Sequence, residues 1–123
     1  PLMKVGGIDD KRNFTHVKDM VEAYWLSTEK CKAGELYLVG SESENQIFTF
    51  KEALEKLISM STVNDIKYET AKKFVRPTKV PFLIATTEKF RKATGWEPKI
   101  SFDKILGDTL EYWRKKVKDN DYI

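Results

Sequence analysis

The chain has 123 residues, of which 41% are hydrophobic and 33% charged, and a formal net charge of +3. This length and composition indicate one globular domain with a single core, and they exclude a disordered chain. No apolar run approaches the roughly 20 residues of a membrane span. The single cysteine excludes an intrachain disulfide framework, so a cytoplasmic location is the default expectation.

The first half of the chain predicts short extended runs and two helices. The predicted elements are extended runs at 2–5 and 12–16, a helix from 17 to about 32, a strand at 36–39 and a helix entered through 47–50. Apolar residues at helical spacing predict the buried face of the first helix: Val17, Met20, Val21, Tyr24, Trp25 and Leu26. Thr49 and Glu52 have the spacing of a capping box for the second helix.

The strand predicted at 36–39 is apolar or aromatic throughout, without polar alternation. This pattern is typical of a strand that is covered on both faces. Such a strand usually belongs to a larger sheet than 123 residues can build.

The second half predicts an edge strand at 66–69, a buried segment at 81–85, and a short helix opened by Thr87 and stopped by Gly95. Ser101 is the expected cap of a last helix. The apolar stripe of that helix is Phe102, Ile105, Leu106, Leu110 and Trp113. We expect residues 119–123 to be frayed.

Arg76 is the strongest candidate for ligand binding. It lies between the pair Phe74-Val75 and two prolines, Pro77 and Pro81, which make the backbone stiff and extended. A guanidinium held in this way suits bidentate capture of an anion, although an ordinary loop whose arginine packs on its own domain is the alternative. Together with Arg12, from a separate segment, it could clamp a diphosphate.

The sequence gives little support for a metal site, a nucleotide fingerprint or a catalytic tyrosine–lysine pair. His16 is the only histidine, so a multi-histidine metal site is excluded, and no Gly-x-Gly-x-x-Gly or P-loop occurs. Two Tyr-x-x-x-Lys matches are attributed to chance in a lysine-rich chain: Tyr68 with Lys72, and Tyr112 with Lys116. The tryptophans are assigned to the core: Trp25, Trp96 and Trp113. We therefore predict no catalytic, cofactor-binding or metal-binding residue in this chain.

Five stretches, read in order, resemble the C-terminal, substrate-binding part of extended short-chain dehydrogenase/reductases that act on nucleotide sugars. The closest likeness is to the GDP-mannose 4,6-dehydratase/NAD-dependent epimerase-dehydratase family. The stretches are RNFTHVKD from residue 12, GELYLVGS from 34, RPTKVP from 76, TGWEP from 94, and 102–114. The resemblance covers nearly the whole chain.

The resemblance implies an α/β fold: a small substrate-binding lobe of three to four helices with short strands at 1–118, a frayed tail at 119–123, and no Rossmann domain of its own. In the parent enzyme that domain would bind NADP or NAD and carry the catalytic Ser/Thr, Tyr and Lys. The strand at 36–39 would join its sheet. We expect the isolated chain to be inactive and to self-associate through this strand, and the parent to be a homo-oligomer.

The resemblance also implies the site residues. Arg12 and Arg76 would hold the diphosphate of a nucleotide sugar, and the backbone of the first strand, with Lys4 and Val5, would line the base pocket. Lys79 stands where the family usually has an acidic side chain that accepts hydrogen bonds from the ribose hydroxyls. An ammonium only donates hydrogen bonds, so it suits a phosphate instead. Asn13, where aspartate is common, is a milder departure.

The function implied is the GDP-mannose-type substrate-binding portion of a lyase that oxidises the sugar at C4, eliminates water across C5 and C6 and returns hydride to C6. The corresponding portion of a GDP-4-keto-6-deoxy-mannose reductase or a nucleotide-sugar epimerase is one alternative. A non-catalytic nucleotide-sugar or anion-binding module is another. The interspersed charges argue against a nucleic-acid partner, and the lack of a long apolar run argues against a membrane partner.

Overall fold

The computed structural model describes residues 1–77 and 80–120. In this part of the chain four helices accompany a few short strands, which confirms the predicted α/β fold class. The strands are β1 (Leu2–Val5), β2 (Lys11–Asn13), β3 (Ile47–Thr49), β4 (Lys67–Thr70) and β5 (Phe82–Leu83). The helices are α1 (Val17–Lys30), α2 (Phe50–Ser59), α3 (Glu88–Thr94) and α4 (Phe102–Lys118), with 3-10 turns at Glu44–Gln46 and Lys72–Phe74.

The strands form two small sheets. In the first, β1 pairs in parallel with β4, which confirms the edge strand predicted at 66–69. In the second, β2 is central, antiparallel to β3 and parallel to β5. The extended run predicted at 12–16 is shorter than expected, because β2 ends at Asn13 and His16 already caps α1.

Local signals set the ends of the helices. Thr49 and Glu52 form the predicted capping box at the start of α2. The Ser101 hydroxyl accepts a hydrogen bond from the Lys104 N–H, as expected for the cap of α4. Gly95 ends α3 in the left-handed region, at φ 74°. Helix α1 ends at Lys30, slightly before the predicted position.

Two clusters of buried side chains form the core. The first combines Ala23, Phe90 and Trp96, and the second Ala53, Phe102 and Leu106. Aromatic rings dominate both clusters: Phe90 meets Trp96 edge to face at 5.8 Å between ring centroids, and Phe48 stacks on Phe102 at 3.7 Å.

The predicted buried face of α1 was wrong. Most of the apolar stripe is exposed, with Val17, Val21, Tyr24 and Trp25 between 60% and 68% accessible. The helix instead buries Asp19 and Ala23. The reason is a pair of hydrogen bonds. The Asp19 carboxylate accepts hydrogen bonds from the backbone N–H groups of Lys99 and Ile100, and these bonds fix the rotation of the helix.

The assignment of all three tryptophans to the core was correct only for Trp96, which is 3% exposed. Trp25 and Trp113 are more than half exposed. Near Trp113, the Arg114 guanidinium donates to the Met60 carbonyl at 3.0 Å, so this polar contact, rather than the indole, joins the C-terminal part of α4 to the end of α2.

Two segments that the sequence predicts to be buried are only partly buried in the structure. Residues 36–39 belong to no strand within the described part of the chain, and only Tyr37 and Val39 pack on the first core cluster. Leu36 and Leu38 on the other side are exposed. Phe82 and Leu83, in the edge strand β5, are exposed as well.

Candidate functional site

A cleft of about 380 Å³ lies where β1, β2 and the loop after Phe74 meet. Arg12 and Arg76, which the sequence analysis pairs as a possible diphosphate clamp, both line it. Two carboxylates, Asp9 and Asp10, line it too. The fold therefore brings two guanidinium groups from distant segments to one concave surface, together with two acids.

The tight turn after β1 forms one wall of this cleft. A Cβ atom on Gly6 would lie 2.5 Å from the Phe74 carbonyl oxygen, whereas one on Gly7 would meet nothing within 4 Å. Only a glycine at position 6 therefore lets the end of β1 approach the 3-10 turn Lys72–Phe74 so closely. The contact holds the two sides of the cleft at a fixed separation.

Gly6→Ala is expected to lower the free energy of unfolding by about 2 kcal/mol, because backbone at the cleft wall must move to relieve the overlap. Gly7→Ala is the matched control, and its effect should stay within about 0.5 kcal/mol. Urea denaturation of both variants measures the difference. Equal stabilities of the two variants would contradict the close approach.

The Arg12 guanidinium is held by its own strand and by an acid. It donates to the Lys11 carbonyl at 2.7 Å, and its Nη2 lies 3.5 Å from the Asp10 carboxylate. Its carbon also lies 5.9 Å from the centre of the Phe50 ring. An anion in the cleft would meet a preoriented guanidinium whose present counter-ion is Asp10.

Arg76 differs from Arg12. It is exposed, and within residues 1–77 and 80–120 its guanidinium has no hydrogen-bond or ion-pair partner. The preceding Val75 is extended, at φ −83° and ψ 120°. This side chain is available for a ligand.

The other predicted site residues lie elsewhere. Lys4 is exposed, with its Nζ 3.8 Å from the Glu69 carboxylate, and it does not line the cleft. The Val5 carbonyl accepts a hydrogen bond from the Ala71 N–H at 2.9 Å, so this carbonyl is already paired with the residue that follows β4. Lys79 lies outside the described residues.

The sequence reasoning missed Asp9 and Asp10. The available signal was the Gly6-Gly7 turn, which directs the following residues back along the wall that carries Arg12.

A second cavity, of about 300 Å³, lies between residues 40–46 and 96–101. Its charged groups already have partners, among them Lys99, whose ammonium lies 2.8 Å from the Glu22 carboxylate outside the cavity. Arg91 lies 3.6 Å from Glu97, and Glu42 accepts the Thr87 N–H at 3.0 Å. It is therefore a weaker candidate for binding an anion.

His16 has a structural position. Its Nδ1 accepts the Lys18 N–H at 3.0 Å, and its Nε2 lies 3.2 Å from Asp108. The Lys104 ammonium, more than the histidine, lowers the pKa of the Asp108 carboxyl. In the part of the chain that the structure describes, no three His, Cys, Asp or Glu side chains cluster as metal ligands would.

Comparison with known proteins assigns the chain to a family. The family model described as GDP-mannose 4,6 dehydratase matches residues 1–109. The chain belongs to the GDP-mannose 4,6 dehydratase family. The resemblance inferred from the sequence is thereby confirmed.

Related sequences agree with this family. Human GDP-mannose 4,6 dehydratase is 29% identical over 120 residues, which are 86% of this chain and 32% of the human protein. Human dTDP-D-glucose 4,6-dehydratase is 30% identical over 106 residues, or 85% of this chain and 30% of that protein. The chain thus spans about a third of the length of these relatives.

Solved structures share the fold. RMD from Pseudomonas aeruginosa, complexed with NADPH, superposes with a TM-score of 0.81 at 26% identity, covering 94% of this chain and 36% of that one. A putative epimerase from Burkholderia cenocepacia gives a TM-score of 0.80 at 30% identity, covering 94% and 37%. None of the helices described in the 123-residue chain is long and apolar enough to cross a membrane.

The structure shows what the asparagine at position 13 does. Its Nδ2 donates to the Ser41 carbonyl, while its Oδ1 accepts the Ala85 N–H at 3.0 Å. A carboxylate could accept but not donate. Asn13 therefore joins the loop after residue 40 to the segment that precedes α3.

Proposed function

We propose that this chain is the nucleotide-sugar-binding portion of a GDP-mannose 4,6-dehydratase-like enzyme, and that its Arg12–Arg76 cleft binds the diphosphate. The observation that carries the proposal is the meeting of these two arginines, 64 positions apart in the sequence, in one cleft. Membership of the family supports the substrate class.

The chemistry of the cleft fits a diphosphate. Guanidinium groups bind phosphate oxygens through paired, charge-assisted hydrogen bonds, which also fix the orientation of the ligand. Arg76 has no partner for its donors among residues 1–77 and 80–120, while Arg12 would exchange its 3.5 Å contact with Asp10 for a phosphate oxygen. Lys79 follows Arg76 closely in the chain, and we propose that its ammonium adds a third cation.

We assign a smaller role to the first strand. Val5 comes directly before Gly6, and Lys4 lies one position further back on the exposed strand β1. We propose that the backbone around these residues contacts the base, beyond the part of the cleft that holds the phosphates.

The exposed apolar residues support a larger parent protein. We propose that Leu36, Leu38 and the stripe of α1 pack against a Rossmann domain that residues 1–118 lack, with 119–123 as a tail. NADP or NAD would bind to that domain, which would also carry the catalytic residues. None of the residues of this chain is assigned to the cofactor.

In this arrangement the lobe binds and orients the diphosphate, which accelerates the reaction by positioning. The isolated chain is then inactive, and the parent is a cytoplasmic lyase that works as a homo-oligomer. The match to the Pseudomonas aeruginosa GDP-6-deoxy-D-mannose reductase, 28% identical over 118 residues, favours a reductase portion as the second candidate.

Calorimetric titration with GDP, UDP and dTDP tests the proposal. We expect a nucleoside diphosphate to bind, and Arg76→Ala to weaken its binding about 10-fold to 100-fold, because a hydrogen-bonded charge pair is lost. Arg91→Ala is the control, since Arg91 is an exposed arginine outside this cleft. Equal losses in both variants would indicate only a general charge effect and would refute the assigned site.

A further inference from the structure

The second cavity, of about 300 Å³ between residues 40–46 and 96–101, shares no lining residue with the Arg12–Arg76 cleft. Three of its lining side chains are polar and uncharged, and each is more than nine-tenths buried: Ser41, Gln46 and Thr87. Buried polar groups are nearly always hydrogen-bonded. An unused donor or acceptor on these side chains therefore points to a ligand that supplies the partner.

Two of these side chains have unused hydrogen-bonding groups. The Gln46 Nε2 donates to the Ile100 carbonyl at 2.8 Å, which fixes the orientation of the amide, but its Oε1 accepts no hydrogen bond from residues 1–77 and 80–120. The Thr87 hydroxyl has no partner in these ranges either, although the Thr87 N–H donates to the Glu42 carboxylate at 3.0 Å. The cavity thus presents one unused acceptor and one hydroxyl that can both donate and accept.

The loop 40–46, which forms one wall of the cavity, adds a donor and is held in place. The Ser41 hydroxyl oxygen accepts a hydrogen bond from the Ser43 N–H at 3.1 Å, while its hydrogen meets no acceptor in the described part of the chain. The Ser41 carbonyl is bound by the Asn13 amide, and a Cβ on Gly40 would lie only 3.3 Å from the Ala85 Cβ. A wall that is already ordered reduces the entropy lost when a ligand binds.

The charges around the cavity favour an uncharged ligand. Two cations, Arg91 and Lys99, line it together with two carboxylates, Glu42 and Glu97, so their formal charges cancel. A phosphate or carboxylate would also only accept hydrogen bonds and would leave the Gln46 Oε1 without a donor. A hydroxyl group both donates and accepts, so a neutral compound with several hydroxyls matches the unused groups of this cavity.

The size of the cavity limits the ligand to a small molecule. Its volume is at the lower end of the roughly 300–1,000 Å³ of small-molecule sites, which suits one sugar ring but not a nucleotide sugar. Trp96 and Pro98 add apolar lining, which suits the C–H groups of such a ring. We propose that this cavity binds a neutral monosaccharide, whose hydroxyls donate to the Gln46 Oε1, accept from Ser41 and pair with the Thr87 hydroxyl. This second site is independent of the diphosphate site.

Titration of the ¹⁵N-labelled 123-residue chain with D-mannose and D-glucose, followed by NMR, tests the proposal. For at least one sugar we expect saturating shifts of the Ser41, Gln46 and Thr87 amide signals, with a Kd of about 1–10 mM for a ligand of this size. Tetrahydropyran, the same ring without hydroxyls, should give no saturating shift. Thr87→Val keeps the side-chain volume and should weaken sugar binding about 5-fold to 10-fold. Thr109→Val, which removes an exposed hydroxyl on α4, is the control and should change the Kd less than about twofold.

Urea denaturation of Thr87→Val gives a second measurement. Because the hydroxyl has no partner within the described residues, we expect no loss of stability in this variant, and a clear loss would contradict the unpaired hydroxyl. An equal Kd in the wild type and Thr87→Val, or equal shifts with tetrahydropyran, would overturn recognition of hydroxyls. Saturating shifts of the same signals with sodium sulfate would indicate an anion site instead. No saturating shift with either sugar would mean that the cavity holds water only, which also overturns the proposal.

Discussion

Phe90→Ala is expected to lower the free energy of unfolding by about 4 kcal/mol, the range found when a buried phenylalanine is truncated. Phe90 is fully buried, at 0% exposure. Its ring meets Trp96 at 5.8 Å and Tyr37 at 6.3 Å, in both cases edge to face. Truncation would leave a cavity between α1 and α3, so urea denaturation should show a large shift in midpoint.

Phe82→Ala is the matched control, because the same side chain is 63% exposed there. We expect a change within about 0.5 kcal/mol. If the alanine variant at position 90 does not fold, Phe90→Leu should fold and lose about 1.5 kcal/mol. Equal effects at positions 82 and 90 would contradict the described core.

Asp19→Ala is expected to cost about 3 kcal/mol, because it removes an ionised acceptor shared by two backbone N–H groups. The carboxylate accepts from Lys99 at 3.1 Å and from Ile100 at 3.0 Å, and the residue is 3% exposed. Without it, both donors lose their partner, and α1 keeps only the Trp96 indole bond to the Asp19 carbonyl and the Lys99–Glu22 contact to the segment that leads into α4. Thermal or urea unfolding measures the loss.

Two further variants separate this mechanism from a general effect of charge. Asp19→Asn keeps an acceptor oxygen and should cost about half as much. Asp103→Ala removes an exposed acid whose 3.1 Å contact is with Lys56 at the surface, and it should cost about 0.5 kcal/mol. An equal cost for Asp19→Asn and Asp19→Ala would contradict the acceptor role.

The Asp19 interaction also bears on the proposed function. By fixing the rotation of α1, it turns Ala23 toward Phe90 and leaves Tyr24 and Trp25 on the outside. These aromatic residues then belong to the face that we assign to the parent protein. A structural hydrogen bond inside the lobe would thus decide which surface is left for the remaining two thirds of the enzyme.

The family resemblance and the helix termini could be read from the sequence because they depend on short-range order. The capping box at Thr49 needs only residues within one turn, and Gly95 ends α3 because it alone takes a positive φ there without strain. The arginine pair could be named as a hypothetical diphosphate clamp from residue chemistry and from the family resemblance. Spacing along a chain does not say which distant side chains share a cleft.

The sequence by itself determined the class of fold, most helix ends and the family, which follow from local pattern and from the order of short motifs. Only the tertiary structure decided which face of α1 is buried, because two backbone donors 80 residues away select Asp19 over the apolar stripe. It also decided that Asp9 and Asp10 share the cleft of Arg12 and Arg76. A periodic pattern shows that a helix has an apolar side, but the partner that covers that side is fixed by long-range contacts and, for this chain, by surface that we assign to the rest of the enzyme.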